Sequence, residues 1–220
     1  MAINSLKSLH ENDWKNVKTD YETLKNDSDI AERMELLISF YKHLKPKKTL
    51  DIGCGSGYMG HLIKKFDPDV VIHGLDVSEH AISQIKDYDK AYFLNIDENN
   101  IPEPDNDFDL VVCSDVIEHI YDVDHCLNEI KRILKPGAKA IITTPNYSFW
   151  KYRVITLLGG MPSILKDPRH IHVFNLDVIR RKCYSMGLDI AYSIKGRKDF
   201  ITKHCEKLFN KTTITILTKK

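Results

Sequence analysis

The sequence predicts a single α/β domain: a seven-stranded, mostly parallel sheet with helices on both faces and the last strand antiparallel. Three observations carry this. Short apolar runs alternate with helix-period stripes from residue 48 onward, the pattern of strand–helix–strand crossovers under a sheet covered on both faces. The closing runs, "LDIAYSI" and "TTITILT", have no helix-length pattern between them, so they can pair antiparallel. A chain of 220 residues is long enough for one such domain, 1–220, with a sizeable core.

The elements follow in order. Residues 1–28 are polar, with single aromatics at Trp14 and Tyr21, and read as a loosely helical N-terminal arm. A helix begins at Asp29, which with Glu32 resembles a capping box; Ile30, Met34, Leu37, Tyr41 and Leu44 keep the helical period, and Pro46 lies beyond its end. "KTLDIG" (48–53) is a buried strand, and Met59, Leu62, Ile63 and Phe66 stripe the next helix. "VVIHGLD" (70–76) is the second strand, "SEHAISQIKDY" a helix, "KAYFLNI" the third strand and "FDLVVCS" (108–114) the fourth. Val123, Leu127, Ile130 and Leu134 mark a helix stopped by Pro136-Gly137, before a fifth strand, "AKAIITT" (138–144). Leu176, Ile179, Cys183 and Met186 stripe the last helix, between Asn175 and Gly187. Residues 145–175 fall outside these units.

Composition narrows the partners. Hydrophobic content of 42% and charged content of 29% mark a soluble globular chain. A formal net charge of +1 gives no field toward nucleic acid. The start "MAINSLKSLHENDW" lacks a signal-peptide pattern, and no apolar run approaches the ~20 residues of a membrane span, so the expectation is cytoplasmic. The five cysteines, 54, 113, 126, 183 and 205, have no C-x-x-C spacing and read as reduced thiols.

"TLDIGCGSGY" (49–58) sits where an open α/β sheet binds ligands, at its first strand–helix turn. Its spacing is Gly53-x-Gly55-x-Gly57 rather than the G-x-G-x-x-G of a pyrophosphate turn. Asp51, two residues before Gly53, would repel a pyrophosphate and suits a ligand carrying an ammonium. Asp76 ends the second strand 21 residues after Gly55, where an acid accepts both hydroxyls of a ribose. Asp97, in "NID", is placed to accept from the exocyclic amine of adenine. Asp51 as a simple turn cap and Asp97 as a solvated loop acid are the plainer readings.

These features resemble the class I S-adenosylmethionine-dependent methyltransferases, a Rossmann-like fold, over about residues 48–144. "LDIGCGSGY", "GLDVS", "NIDENNIPEPDNDFDLVVCSDVIEHI" and "EIKRILKPGAKAIITTPN" look like the family's motifs in order. The resemblance implies S-adenosyl-L-methionine as cofactor and S-adenosyl-L-homocysteine as product. It places Gly53, Gly55 and Gly57 beside the methionine part, Asp51 near its amino group, Asp76 on the ribose, Val77 beside adenine, Ile96 and Asp97 on adenine, and Ser114 at the methionine side. Ala138 stands where the family usually has a second glycine.

Transfer to a hydroxyl benefits from a general base, and histidine is the usual one near neutral pH. The family commonly has Glu-His where Glu118-His119 stands. "DPRHIHVFN" (167–175) resembles a segment of small-molecule and glycan-modifying members. His119 and His170 are therefore the candidate catalytic residues. The plainer reading of His119 is a capping or packing role. His170 and His172 would share a face in an extended segment. They show no third metal ligand, so no metal site is expected; Asp115 is an ion ligand only in metal-dependent relatives.

The insertion "NYSFWKYRVITLLGGMPSILK" (146–166) is dense in aromatic and apolar residues, and 145–175 with the 1–28 arm is expected to cover the acceptor pocket. A membrane-surface helix is the other reading. Residues 195–213 hold six Lys/Arg against two acids, suiting a phosphorylated acceptor or plain solvation. The expected activity is O-methylation of a small molecule, a sugar or sugar nucleotide of surface polysaccharide first. The alternatives are a quinone-type phenol and a non-catalytic S-adenosylmethionine-binding subunit. "SDVIEH" in place of N-P-P-Y or D-P-P-Y argues against base methylation of nucleic acid. Asp51 argues against a nicotinamide oxidoreductase. Oligomeric state is not legible.

Overall fold

The computed structural model describes residues 28–194 and 211–220, with single positions at 24 and 26. Strands and helices alternate as α1 (Ser28–Leu44), β1 (Lys48–Ile52), α2 (Tyr58–Lys64), β2 (Val71–Asp76), α3 (Glu79–Ile82), β3 (Lys90–Phe93), β4 (Phe108–Ser114), α4 (Val123–Ile133), β5 (Leu134–Pro145), α5 (Trp150–Leu157), α6 (Leu176–Ser185), β6 (Leu188–Ile194) and β7 (Thr212–Lys219). The seven strands form one sheet in the order β3-β2-β1-β4-β5-β7-β6. β1 to β5 pair in parallel, while β7 runs antiparallel to both β5 and β6. The expected architecture and its reversed last strand are both present.

The strand order reverses between β1 and β4, so a crevice opens at the carboxyl ends of those two neighbours. Alternate strand residues feed two cores. Leu37 and Tyr41 of α1, with Met59 and Ile63 of α2, pack on Ile72, Leu110, Val112 and Ile141. On the other face α4 (Cys126, Leu127, Ile130) and α6 (Ile179, Cys183) pack on Leu50, Ile52, Val111 and Ile142. Cys54, Cys113, Cys126 and Cys183 are buried free thiols, as expected. No helix among the described residues is long and apolar enough to cross a membrane.

Three elements differ from expectation. The helix after β2 is a single turn, capped by Ser78, whose hydroxyl accepts from the Ala81 amide. The chain then turns so that Tyr88 reaches β1, its phenol donating to Asp51 Oδ2 at 2.6 Å. β3 stops at Phe93, before "LNI". β5 begins at Leu134 directly after α4, ahead of Pro136-Gly137. The 145–175 insertion carries a helix, α5, and a 3₁₀ turn at Ser163–Leu165. Tyr152 and Ile164 are buried beneath it, while Leu157 and Leu158 are 86% and 80% exposed. The 1–28 arm apart from 24, 26 and 28, the side chain of Asp29 and the basic run up to residue 210 lie outside the described residues.

Arg132 ties the acidic loop before β4 to α4. Its guanidinium donates to both carboxylate oxygens of Glu129, to Asp105 Oδ1, and to the carbonyls of Ile101 and Glu103. Glu129 in turn accepts from the Ile101 amide at 2.7 Å. Arg132→Ala would strand a buried carboxylate, so a loss of about 1–3 kcal/mol in urea unfolding is expected.

Candidate active site

The glycine turn is built by conformation. Gly53, Gly55 and Gly57 all have positive φ, of 71, 54 and 85°, where a side chain is strained. A Cβ on Gly53 would also lie 2.2 Å from Val116 Cγ2. The Gly53 and Cys54 amides donate to the Leu75 carbonyl, fastening the turn to β2. Asp76 completes it. Its Oδ2 accepts from the Gly55 amide and its Oδ1 from the Ser78 amide, each at 2.9 Å. The carboxylate is 7% exposed and fixed between the first turn and the start of α3.

Asp51 is 4% exposed and has the Tyr88 phenol on Oδ2. Burial pushes its carboxyl up to about 7; the Tyr88 hydrogen bond opposes the rise and the neighbouring Asp76 adds to it. Asp51 is therefore a buried acid at the end of β1, with a protein partner that the sequence did not foretell. Tyr88 fills the space that two glycines leave open: a Cβ on Gly60 or Gly74 would come within 1.7 or 2.5 Å of its ring.

Parallel register sets the remaining candidates along the same edge. Asp51 pairs with Gly74 and Val112, and Asp76 with Phe93. Val77 is half-buried and Ile96 is buried. Asp97 is half-buried, and its Oδ1 accepts from the Asp122 amide at 2.9 Å, so it also holds the loop before α4. The Ser114 and Thr143 hydroxyls share a hydrogen bond of 2.9 Å across β4 and β5.

Beyond β4 the chain turns sharply. Asp115 has φ 54°. Its Oδ1 accepts from the Thr143 hydroxyl at 2.8 Å, and its Oδ2 pairs with Arg33 of α1 at 2.5 Å. The Glu118 carbonyl accepts from the amides of both Ile171 and His172, joining this turn to the end of the insertion. The joint brings His119 and His170 together, ring centroids 4.8 Å apart. The two imidazoles donate from Nδ1 to main-chain carbonyls, His119 to Arg169 at 3.1 Å and His170 to Ile164 at 2.8 Å. A carbonyl only accepts, so in the neutral rings Nε2 carries the lone pair.

His170 and His172 do not share a face. Two successive amides bonded to one carbonyl bend the segment, and His172 turns to the Tyr121 carbonyl and the Phe174 ring. Arg33 and Tyr88 were invisible in the sequence, since neither belongs to a local pattern. Glu118 was legible only as half of the Glu-His pair, not as a buried acid.

Comparison with known proteins agrees with this geometry. A protein family described as "Methyltransferase domain" matches residues 27–193. A ubiquinone biosynthesis O-methyltransferase of Coxiella burnetii is 30% identical over 122 residues, 53% of this chain and 51% of that one. The chain thus spans about half the length of the curated relatives it matches. A SAM dependent methyltransferase structure from Archaeoglobus fulgidus superposes with a TM-score of 0.67 at 19% identity, covering 96% of this chain and 98% of that one. The N-methyltransferase NodS of Bradyrhizobium japonicum, solved with S-adenosyl-L-homocysteine, gives 0.64 at 14% identity, covering 97% and 98%. With the glycine turn, the strand-end acids and the reversed seventh strand in place, the chain belongs to the class I S-adenosylmethionine-dependent methyltransferase family.

Proposed function

We propose that the protein binds S-adenosylmethionine at the carboxyl ends of β1 to β3 and methylates a hydroxyl of a small molecule, a quinone-type phenol. The residues present fit the cofactor. Asp76 is an acceptor at the end of β2, where the Gly55 and Ser78 amides fix its carboxylate, and a carboxylate there suits ribose hydroxyls. Val77 and Ile96 supply apolar surface for adenine, and Asp97 an acceptor for its amine. Gly53, Gly55 and Gly57 let the main chain approach the methionine part, with Ser114 at its border and the Asp51 field beneath its ammonium. The bound cofactor supplies a methyl group activated on a sulfonium.

The single observation that carries the hydroxyl reading is the convergence of His119 and His170 beside the end of β4. Each Nε2 has the lone pair needed to take a proton from an acceptor hydroxyl. The likeness to a ubiquinone biosynthesis O-methyltransferase favours a phenol over a sugar nucleotide. α5, with exposed Leu157 and Leu158, suits a lid that closes over an apolar acceptor.

Two measurements test this. S-adenosyl-L-homocysteine at a hundredfold excess over its Kd should raise Tm by about 5 °C or more, and NAD should not. The purified chain with S-adenosylmethionine should add one methyl mass to a catechol or hydroquinone, and none to sugar nucleotides. Methylation of sugars alone would reverse the acceptor reading. Cofactor binding without methylation of any acceptor would favour a non-catalytic subunit.

A further inference from the structure

We propose that Glu118, His119 and His170 form a site for a divalent transition cation of zinc type. The inference adds a cation to the site of the proposed O-methylation, but metal binding stands on its own geometry. Among the described residues, these three bring a carboxylate oxygen and two imidazole nitrogens within 4.8 Å of one another.

The carboxylate is the first argument. Glu118 is 2% exposed, and among the described residues neither carboxylate oxygen has a hydrogen-bond partner. Buried acids are ordinarily hydrogen-bonded or paired, because an ionised carboxylate away from water is costly. A cation between Glu118 and the two rings would supply the missing partner. The nearby cation, Arg33, is already engaged by Asp115.

The imidazoles are the second argument. Each donates its Nδ1 hydrogen to a main-chain carbonyl, the support that fixes a metal-ligating histidine in orientation and tautomer. Asp167 Oδ2 lies 3.9 Å from His170 Nε2, but Arg169 holds both oxygens of that carboxylate. Two nitrogens and one carboxylate oxygen suit zinc and its neighbours rather than magnesium or calcium, which prefer oxygen donors. Ligands ~2.0–2.1 Å from a tetrahedral zinc lie about 3.3–3.4 Å apart, so small side-chain rotations close the set. With both Nε2 lone pairs donated to the cation, activation of the acceptor would pass from the imidazoles to the remaining coordination position, where a cation lowers the pKa of a hydroxyl.

The sequence offered a different pair, His170 and His172, which the bend at Glu118 separates. The third ligand comes instead from the other side of that joint.

The test uses the full chain, stripped with a chelator and titrated with zinc sulfate by calorimetry. One zinc per chain is expected, with affinity at least a hundredfold lower in Glu118→Gln and in His170→Ala, and unchanged in His172→Ala. Cobalt(II) should give the intense visible absorption of a low-coordinate site, lost in the same two variants. Retained stabilisation by S-adenosyl-L-homocysteine will show that the variants fold. No zinc binding, or binding indifferent to Glu118 and His170, overturns the site. Methylation is read separately: zinc bound with no hydroxyl methylated would refute the O-methylation reading and leave the site standing. Full-rate methylation by a protein that binds no zinc would do the reverse.

Discussion

Asp76→Ala is expected to weaken S-adenosylmethionine binding by about 10- to 150-fold, the loss of a charged acceptor worth roughly 1.5–3 kcal/mol. On the proposed binding mode the effect has two sources. The ribose hydroxyls lose their acceptor, and the Gly55 and Ser78 amides lose the oxygens that hold the turn against α3. Asp76→Asn keeps one carbonyl oxygen and removes the charge, so it should fall between wild type and alanine. Calorimetric titration of the three proteins checks this. Unchanged affinity in the alanine variant would mean that the ribose lies elsewhere.

The second large effect is a pH dependence set by Asp51. Its carboxyl, buried under the glycine turn, titrates at about 7 rather than at the ordinary 3.8. A folded-state pKa above the unfolded one gives stability that is complete below about pH 4 and is lost as the pH rises through about 7. A ligand bearing positive charge acts in the opposite direction, because it favours the ionised carboxylate. S-adenosylmethionine should therefore bind about tenfold more weakly at pH 6 than at pH 8. Asp51→Asn should flatten that step, and should raise the Tm of the unliganded protein at pH 8. Its amide oxygen can still accept from Tyr88, so the packing of that ring survives the change. A step of equal size in Asp51→Asn would assign it to another group.

The parts of the fold that were legible are those written in local periodicity. β1, β2 and β4 are short apolar runs beside helices with clear stripes, and their burial on both faces follows from the sheet order. The third helix misled, because "SEHAISQIKDY" continues a helical pattern past the point where Tyr88 has to leave it to meet Asp51. That contact spans 37 residues, and no window of sequence contains it. The glycine turn and Asp76 were readable because one strand–helix–strand unit sets both. The histidine pair was half readable: each ring stood out, but what brings them together is the main-chain carbonyl of residue 118, which has no signature in side-chain identity. For the same reason His172 looked equivalent to His170 until the bend between them was seen.

That single carbonyl has an evolutionary corollary. Because it fastens the stretch that delivers the second imidazole, a chimera that replaced 145–175 to acquire a new substrate preference would inherit or forfeit the His170 ring in the same exchange. On the roles proposed for His170 and for 145–175, selectivity and chemistry would not be separable modules, and directed evolution aimed at one would drag the other with it.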